Sequence, residues 1–185
     1  MKAVLLTGPS GSGKTTLAQK LVENFPSVTF SISATTRPPR SQEVHGRDYY
    51  FLSEADFDAE IARGGFVEWE RLFSGYRYGT LRSEIERIQS TGQIPLFVKD
   101  VRGTLSLKTS LGEGAISVFL LPPSLEELRS RLIKRGMLAG ADLEERIQRA
   151  HAELCVLPRF DFILYNENLE KAFERLVLTL SPYLS

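Results

Sequence analysis

The sequence has one cysteine, one tryptophan, two histidines and two methionines in 185 residues, and no net charge, since 23 Lys and Arg stand against 23 Asp and Glu. Each scarcity excludes a class of protein. A single thiol, Cys155, can neither close an internal disulfide nor complete a cysteine-based metal site; it fits a reducing compartment and is expected as a buried small hydrophobe. His45 and His151 have no second ligand at metal spacing, so neither is read as a metal ligand or a catalytic group. The balanced charge leaves no global field to draw the protein onto nucleic acid or an acidic membrane, so any basic cluster has to act locally. The first apolar run, residues 3–6, is too short for a signal peptide or a bilayer span, and the expected location is cytoplasmic. No repeat, low-complexity tract or long linker interrupts the chain, and its length suits one domain.

What the sequence does hold is alternation. "AVLLT" at 3–7 reads as a strand buried on both faces, and it runs through a glycine-rich turn into "KTTLAQKLVENF", where Leu17, Leu21 and Phe25 recur at helical spacing. "VTFSI" (28–32), "IPLFV" (94–98), "AISVFLL" (115–121) and "FDFILY" (160–165) suit further buried parallel strands separated by helical patterns, which predicts an α/β fold. Ser124 with Glu127 predicts a capped helix over "SLEELRSRLIKR" that ends at Gly136; Ser53 predicts another over "EADFDAEIAR", stopped by Gly64 and Gly65. Two segments break the alternation. Residues 33–80 carry Tyr49, Tyr50, Tyr76 and Tyr78 and predict an insertion rich in polar and aromatic contacts, while "RGMLAGADLEERIQR" (135–149), with two glycines and Arg135, Arg146 and Arg149, predicts a hinged flap.

"GPSGSGKT", residues 8–15, has the phosphate-binding spacing of glycine, four residues, glycine, lysine and a hydroxyl residue, in the required context of a strand before it and a helix after it. Its backbone N–H groups and the positive helix end then converge on one anion site. Gly8, Gly11 and Gly13 let the backbone approach phosphate, Lys14 would reach the outer phosphates, and the Thr15 hydroxyl would join a magnesium shell. The loop alone leaves GTPases, ATPase motors and small-molecule kinases open. A GTPase would need Asn, Lys and Asp in series to read guanine, and "NENLEK" lacks that order. Residues 33–40, "SATTRPPR", set Arg37 and Arg40 three apart in a segment stiffened by Pro38 and Pro39, so that two guanidinium forks can meet one phosphate. Isolated, the pair would read as solvated surface charge; beside a phosphate loop it reads as a second phosphate site.

Together "GPSGSGKTTL", "SATTRPPR", "GRDYYF", "GFVEWE", "YGT", "DVRG", "LLPPSLEELRSRL", "RIQRAHAEL" and "YNENLEKA" resemble, in order and over nearly the whole chain, the motifs of the guanylate kinase family. The resemblance implies an α/β, P-loop NTPase-type parallel core sheet flanked by helices, with a GMP-binding insertion and a short lid. The core would take about 1–32, 81–135 and 146–185, the insertion about 33–80 and the lid about 136–145. It implies Mg2+-dependent transfer of the γ-phosphoryl group of ATP to GMP by a monomer or homodimer. Position by position, it assigns Arg37, Arg40, Tyr49 and Tyr78 to the GMP phosphate and Ser33, Glu68, Thr80 and Asp100 to guanine. Gly8, Pro9, Ser10, Gly11, Ser12, Gly13, Lys14 and Thr15 would cradle ATP, with Asn166 near the adenine and Arg135 and Arg146 closing from the lid. Lys14, Arg37, Arg135 and Arg146 are the expected catalytic residues. The residue types suit these roles, because guanine sets N1–H beside an amino group, two donors that one carboxylate accepts, while O6 takes a hydroxyl from Ser33 or Thr80. The acceptor is an already ionised phosphate oxygen, so no general base is expected. Tyr50 and Trp69 read as structural, and Arg131 and Arg149 as helix ion-pair partners, Arg131 keeping a weak claim on the site.

The chain departs from the family in two places. Where the family commonly has an acid, any residue and an acid before Gln-Gly, "VKDVRG" puts Val98 for the first acid and Arg102 for the glutamine; "FSGYRYGT" puts Tyr76 and Arg77 where Asn and Tyr are usual. A catalytically weak protein-binding module is an alternative, and the intact phosphate loop speaks against it. A kinase for another phosphorylated metabolite, such as a ribose bisphosphate, is a second, and Ser33, Glu68 and Thr80 speak against that.

Overall fold

The computed structural model describes residues 2–72, 74–134 and 141–184. β1 (Ala3–Thr7) is buried along its full length, as an apolar run without alternation requires. The chain turns through the glycine-rich loop into α1 (Lys14–Asn24) and returns as β2 (Val28–Phe30). A smaller layer follows, made of β3 (Ala34–Thr35), β4 (Tyr50–Phe51), α2 (Glu54–Ala62), β5 (Phe66–Arg71) and β6 (Arg77–Leu81). Alternation then resumes with α3 (Arg82–Ser90), β7 (Ile94–Val98), α4 (Val101–Leu111), β8 (Ala115–Leu121) and α5 (Leu125–Lys134). The chain finishes with α6 (Ala141–Leu154), β9 (Phe162–Tyr165) and α7 (Leu169–Leu184).

Among the described residues, five strands form a parallel sheet in the order β2-β7-β1-β8-β9. Successive side chains of β1 go to opposite faces, so Val4 and Leu6 pack with Leu17, Leu21, Leu176 and Leu180, while Ala3 and Leu5 pack with Ile85, Phe97 and Leu107. Both faces are therefore dry. The expected strands at 28–32 and 160–165 are shorter than their apolar runs, being hydrogen-bonded as strand only over Val28–Phe30 and Phe162–Tyr165.

The segment expected as an insertion forms its own sheet, in the order β4-β3-β6-β5, over a cluster of Ala34, Phe57, Phe66 and Leu81. Phe57 and Phe66 stack at 4.3 Å. Two buried charges tie this layer together. Arg77 donates to Asp58 at 2.5 Å and to the Glu54 carboxylate, and lies 4.6 Å from the Phe57 ring centroid. Glu84 on α3 accepts the Ile32 N–H at 2.9 Å, the Tyr50 hydroxyl at 2.7 Å and two Arg87 donors at 2.8 and 2.9 Å. Tyr50 is thus structural, as expected, and Trp69, 43% exposed, packs edge-on to Phe57.

Both serine caps form: Ser53 Oγ accepts from the Asp56 N–H and Ser124 Oγ from the Glu127 N–H, each at 3.0 Å. Gly136, the expected end of the second helix, lies outside the described residues. Cys155 corrects the sequence reading, for it is exposed, in the turn that follows α6, where no neighbouring layer covers it.

Candidate active site

The glycine-rich loop leaves the C-terminal end of the central strand β1, the edge at which parallel sheets present ligand sites. Gly13 caps α1 at φ +95°, and a Cβ there would stand 2.2 Å from Asn166 Nδ2; at Gly8, φ +138°, it would stand 2.2 Å from the Leu120 carbonyl oxygen. Both positions therefore need glycine. Asn166 is 4% exposed and sits beneath the loop, donating from Nδ2 to the Ser12 carbonyl at 2.8 Å. Arg131 donates to the Asn166 main-chain carbonyl at 3.1 Å and to Glu127 at 2.8 Å, the helix pairing expected for it. Lys14 Nζ folds over the loop to the Gly8 and Pro9 carbonyls at 2.7 and 2.8 Å. Thr15 is exposed on the first turn of α1, and Arg146 on α6 donates to Ser10 Oγ at 3.2 Å. Arg135 and residues 136–140 of the expected lid lie outside the described residues.

The register Leu6↔Val98 sets the end of β7 beside this loop. There a cleft of about 150 Å³ brings together Ser33, Tyr49, Glu68, Tyr78 and Asp100 from the expected set, with Glu70, Val98 and Lys99 added. Thr80, directly across from Glu68 in the β5–β6 pair, is buried and donates to Glu68 Oε1 at 2.7 Å. Asp100 caps α4, its Oδ1 accepting the Gly103 N–H at 2.8 Å. Burial pushes the Glu70 carboxyl above its usual range, the charges of Asp100 and Glu68 add to this, and Lys99 and Arg102 partly offset it.

Arg37, Tyr49 and Tyr78 share one wall. Arg37 donates to both oxygens of Glu43 at 2.8 and 2.9 Å and lies 5.5 Å from the Tyr49 ring, whose centroid is 6.1 Å from that of Tyr78. Burial alone would lower the Arg37 pKa, but hydrogen bonds to Glu43 and Tyr78 outweigh it and hold it raised. Arg40 points its exposed side chain outward from the same turn, while its N–H donates to Glu43 at 2.8 Å.

Sequence reasoning missed Glu43, Glu70 and Glu153, and it noted Lys99 only as a charge added by the "VKDVRG" departure, without a place in the site. Glu153 Oε2 is buried with no hydrogen-bond partner among the described residues; burial raises its carboxyl, which also feels Lys14, Asp100 and Arg149. Among the described residues no group of three or more His, Cys, Asp or Glu could hold a metal, and no helix is long and apolar enough to cross a membrane.

The guanylate kinase family model matches residues 1–183. A guanylate kinase of Chlorobium luteolum is 42% identical over 184 residues, covering 100% of this chain and 93% of that protein. The crystal structure of guanylate kinase from Anaplasma phagocytophilum superposes with a TM-score of 0.75 at 29% identity, over 98% of this chain and 85% of that one. Shikimate kinase from Acinetobacter baumannii, in complex with shikimate, shares the fold at a TM-score of 0.51 and 16% identity, over 100% and 96% of the two chains.

Proposed function

The chain belongs to the guanylate kinase family, and on that premise we propose how its residues divide the reaction. The protein phosphorylates GMP with ATP, giving GDP and ADP. The observation that carries the assignment is the shared edge of the sheet, where the loop after β1 and the carboxylate-lined cleft after β7 stand side by side.

The N–H groups of Gly8, Pro9's successors through Thr15 and the start of α1 bind the ATP phosphates. Lys14 exchanges its two carbonyl acceptors for phosphate oxygens, and Arg146, with Arg135, closes over them. Asn166 holds the loop from below on the adenine side. Arg37, Arg40, Tyr49 and Tyr78 hold the GMP phosphate, while Ser33, Glu68, Thr80 and Asp100 face the guanine. The acceptor oxygen is ionised already, so the protein supplies alignment, neutralised charge and exclusion of water. Arg37 and Lys14 meet the charge of the two anionic substrates from opposite sides.

The exposed Thr15 hydroxyl on the first turn of α1 and the orphaned Glu153 Oε2 are oxygen donors of the kind a hard divalent cation takes. Mg2+ held by this set would neutralise charge on the phosphate oxygens. The working parts are a single domain, 1–185, with a core at about 1–32, 81–135 and 146–185, a GMP-binding region at about 33–80 and a lid at about 136–145. All assigned groups come from one chain, which serves a monomer or a homodimer equally. Zero net charge speaks against a nucleic-acid or acidic-membrane partner, and the single thiol suits the cytoplasm.

A coupled assay with ATP, Mg2+ and each of GMP, AMP, CMP and UMP tests the reading. GMP should outpace the others by at least about a hundredfold, the discrimination expected when polar groups read the base. No GDP at millimolar substrates, or equal rates with AMP, would sink it.

A further inference from the structure

The acceptor cleft contains a part-buried cation outside the expected base-reading set. Lys99 Nζ lies 2.9 Å from Glu68 Oε1, with 12% of its own side chain and 7% of that of Glu68 exposed. An ammonium so enclosed requires a partner and a fixed path. The partner is Glu68, and the path is built by three neighbours. The Lys99 N–H donates to the Leu6 carbonyl at 3.2 Å, its carbonyl accepts the Thr7 hydroxyl at 3.0 Å, and Gly103 leaves room for its stem, since a Cβ there would stand 3.3 Å from Lys99 Cδ. Lys99 is thus held at the base-facing end of the cleft, while Arg37 is held at the Tyr49 wall.

We propose that Lys99 reads the 6-oxo group of guanine. This role rests on the guanylate kinase reading above. Along its edge guanine presents O6, N1–H and the 2-amino group in that order, an acceptor and then two donors. Across the cleft the protein presents the Lys99 ammonium and then the two Glu68 oxygens, a donor and then two acceptors, with the ammonium at the Oε1 end. The two series match when the ammonium turns from Oε1 to O6 and the place it vacates on Oε1 takes N1–H, the Thr80 hydroxyl keeping its own bond. Thr80 bonds Oε1 from the strand side and holds the carboxylate to that orientation. Adenine reverses the first two positions, setting a 6-amino donor against the ammonium and a bare N1 against the carboxylate. Each is a desolvated mismatch, so one ion pair both favours guanine and rejects adenine.

The test compares GMP with 6-thio-GMP, which keeps N1–H and the amino group but replaces O6 by sulfur, a weaker acceptor. Steady-state kinetics at pH 7 and GMP binding by calorimetry are measured for the wild type, Lys99→Met and Lys99→Arg. Lys99→Met should raise KM and Kd for GMP by about ten- to a hundredfold, the effect of one charge-assisted bond. KM for 6-thio-GMP should change by less than about threefold, and KM for ATP should hold. Lys99→Arg keeps a charged donor and should recover part of the loss for GMP alone. Equal losses for the two nucleotides would overturn the proposal, because Lys99 would then act only through Glu68. No loss for either would overturn it as well. If Lys99→Met fails to fold, judged by a missing thermal transition, the ratio of the two KM values in Lys99→Arg decides, and an unchanged ratio overturns the proposal. Should the wild type itself form no GDP, the guanylate kinase reading fails; a wild type that forms GDP with a Lys99→Met variant of unchanged discrimination sinks the Lys99 role alone.

Discussion

The two nucleotide-binding halves of this protein are held ready in opposite ways. The phosphate loop is built from main chain, and the polar side chains around it rest on its carbonyls: Lys14 on Gly8 and Pro9, Asn166 on Ser12. In the acceptor half the inward cations rest on carboxylates instead, Arg37 on Glu43 and Lys99 on Glu68. Physical chemistry accounts for the contrast. Neutral N–H groups can point at a future anion site with no counter-charge, and Lys14 beside them acts on the Glu153 carboxyl through charge, whereas the Arg37 guanidinium and the Lys99 ammonium each bond a carboxylate directly. Binding to the loop therefore adds an anion to waiting dipoles. On the proposed assignment, binding in the cleft exchanges one partner for another, and the GMP phosphate would displace or share Glu43.

If that division is right, the largest kinetic effect belongs to the loop half. Lys14→Ala should lower kcat by about 10²–10³-fold, as removal of one preorganised charge does, while the melting temperature stays within about 2 °C, because the ammonium bonds loop carbonyls and no apolar core packing is removed. A variant with unchanged kcat would remove Lys14 from the transfer step. The corresponding effect on the acceptor half is one of stability. Glu84→Ala strips the acceptor from the Ile32 N–H, the Tyr50 hydroxyl and Arg87, which should cost about 3 kcal/mol and lower the melting temperature at pH 7 by about 6–12 °C. Burial would raise the Glu84 carboxyl, yet the bonds from Arg87, Ile32 and Tyr50 prevail and hold it lowered. Its stabilisation is present above the ordinary carboxylate range and lost as pH falls through the depressed folded value, so the gap between variant and wild type should begin to narrow only below the ordinary carboxylate range and keep narrowing as pH falls further. A shift under about 2 °C at pH 7 would show that the two layers are joined elsewhere.

The same contrast explains what could be read before the structure. The loop was legible because its function lies in main chain at a fixed spacing, and the Ser53 and Ser124 caps were legible because they act within three residues. The Arg37–Glu43 pair lies within seven residues, yet nothing in its types distinguishes it from surface charge. Glu84, Arg77 and the Lys99–Glu68 pair were out of reach, because each is defined by a contact across sheets or layers separated by 19 to 52 residues of chain. Asn166 shows the limit of a carried-over role: family position sets it near adenine, and the fold adds the Ser12 carbonyl as its bonded partner. Cys155 shows the limit of composition, since burial of a small apolar residue depends on what the tertiary fold lays over it.

A mid-sized effect separates charge from shape in the cleft. Glu68→Gln keeps the outline but turns one acceptor into a donor that faces N1–H, the amino group, Thr80 or Lys99. kcat/KM for GMP should fall about ten- to a hundredfold, with KM for ATP unchanged. Loss of ATP affinity to the same degree would point to damage spreading along β5 rather than to base recognition.

The smallest effect sharpens the comparison most, because it asks whether the acceptor half carries more negative charge than its own cations settle. Glu70 stands in the cleft with its carboxyl raised, first by burial and then by Asp100 and Glu68, against the partial relief of Lys99 and Arg102. A carboxyl whose folded pKa lies above its unfolded value destabilises the fold wherever it is ionised in both states, and the penalty vanishes once pH falls below both values. Glu70→Gln should therefore raise the melting temperature at pH 8 by about 1–2 °C, a modest shift because solvent reaches the group and screens it. At pH 4 the two proteins should melt together. A Glu70→Gln variant that melts lower at pH 8 would mean that Glu70 is paired there and that the cleft holds no excess charge before GMP arrives.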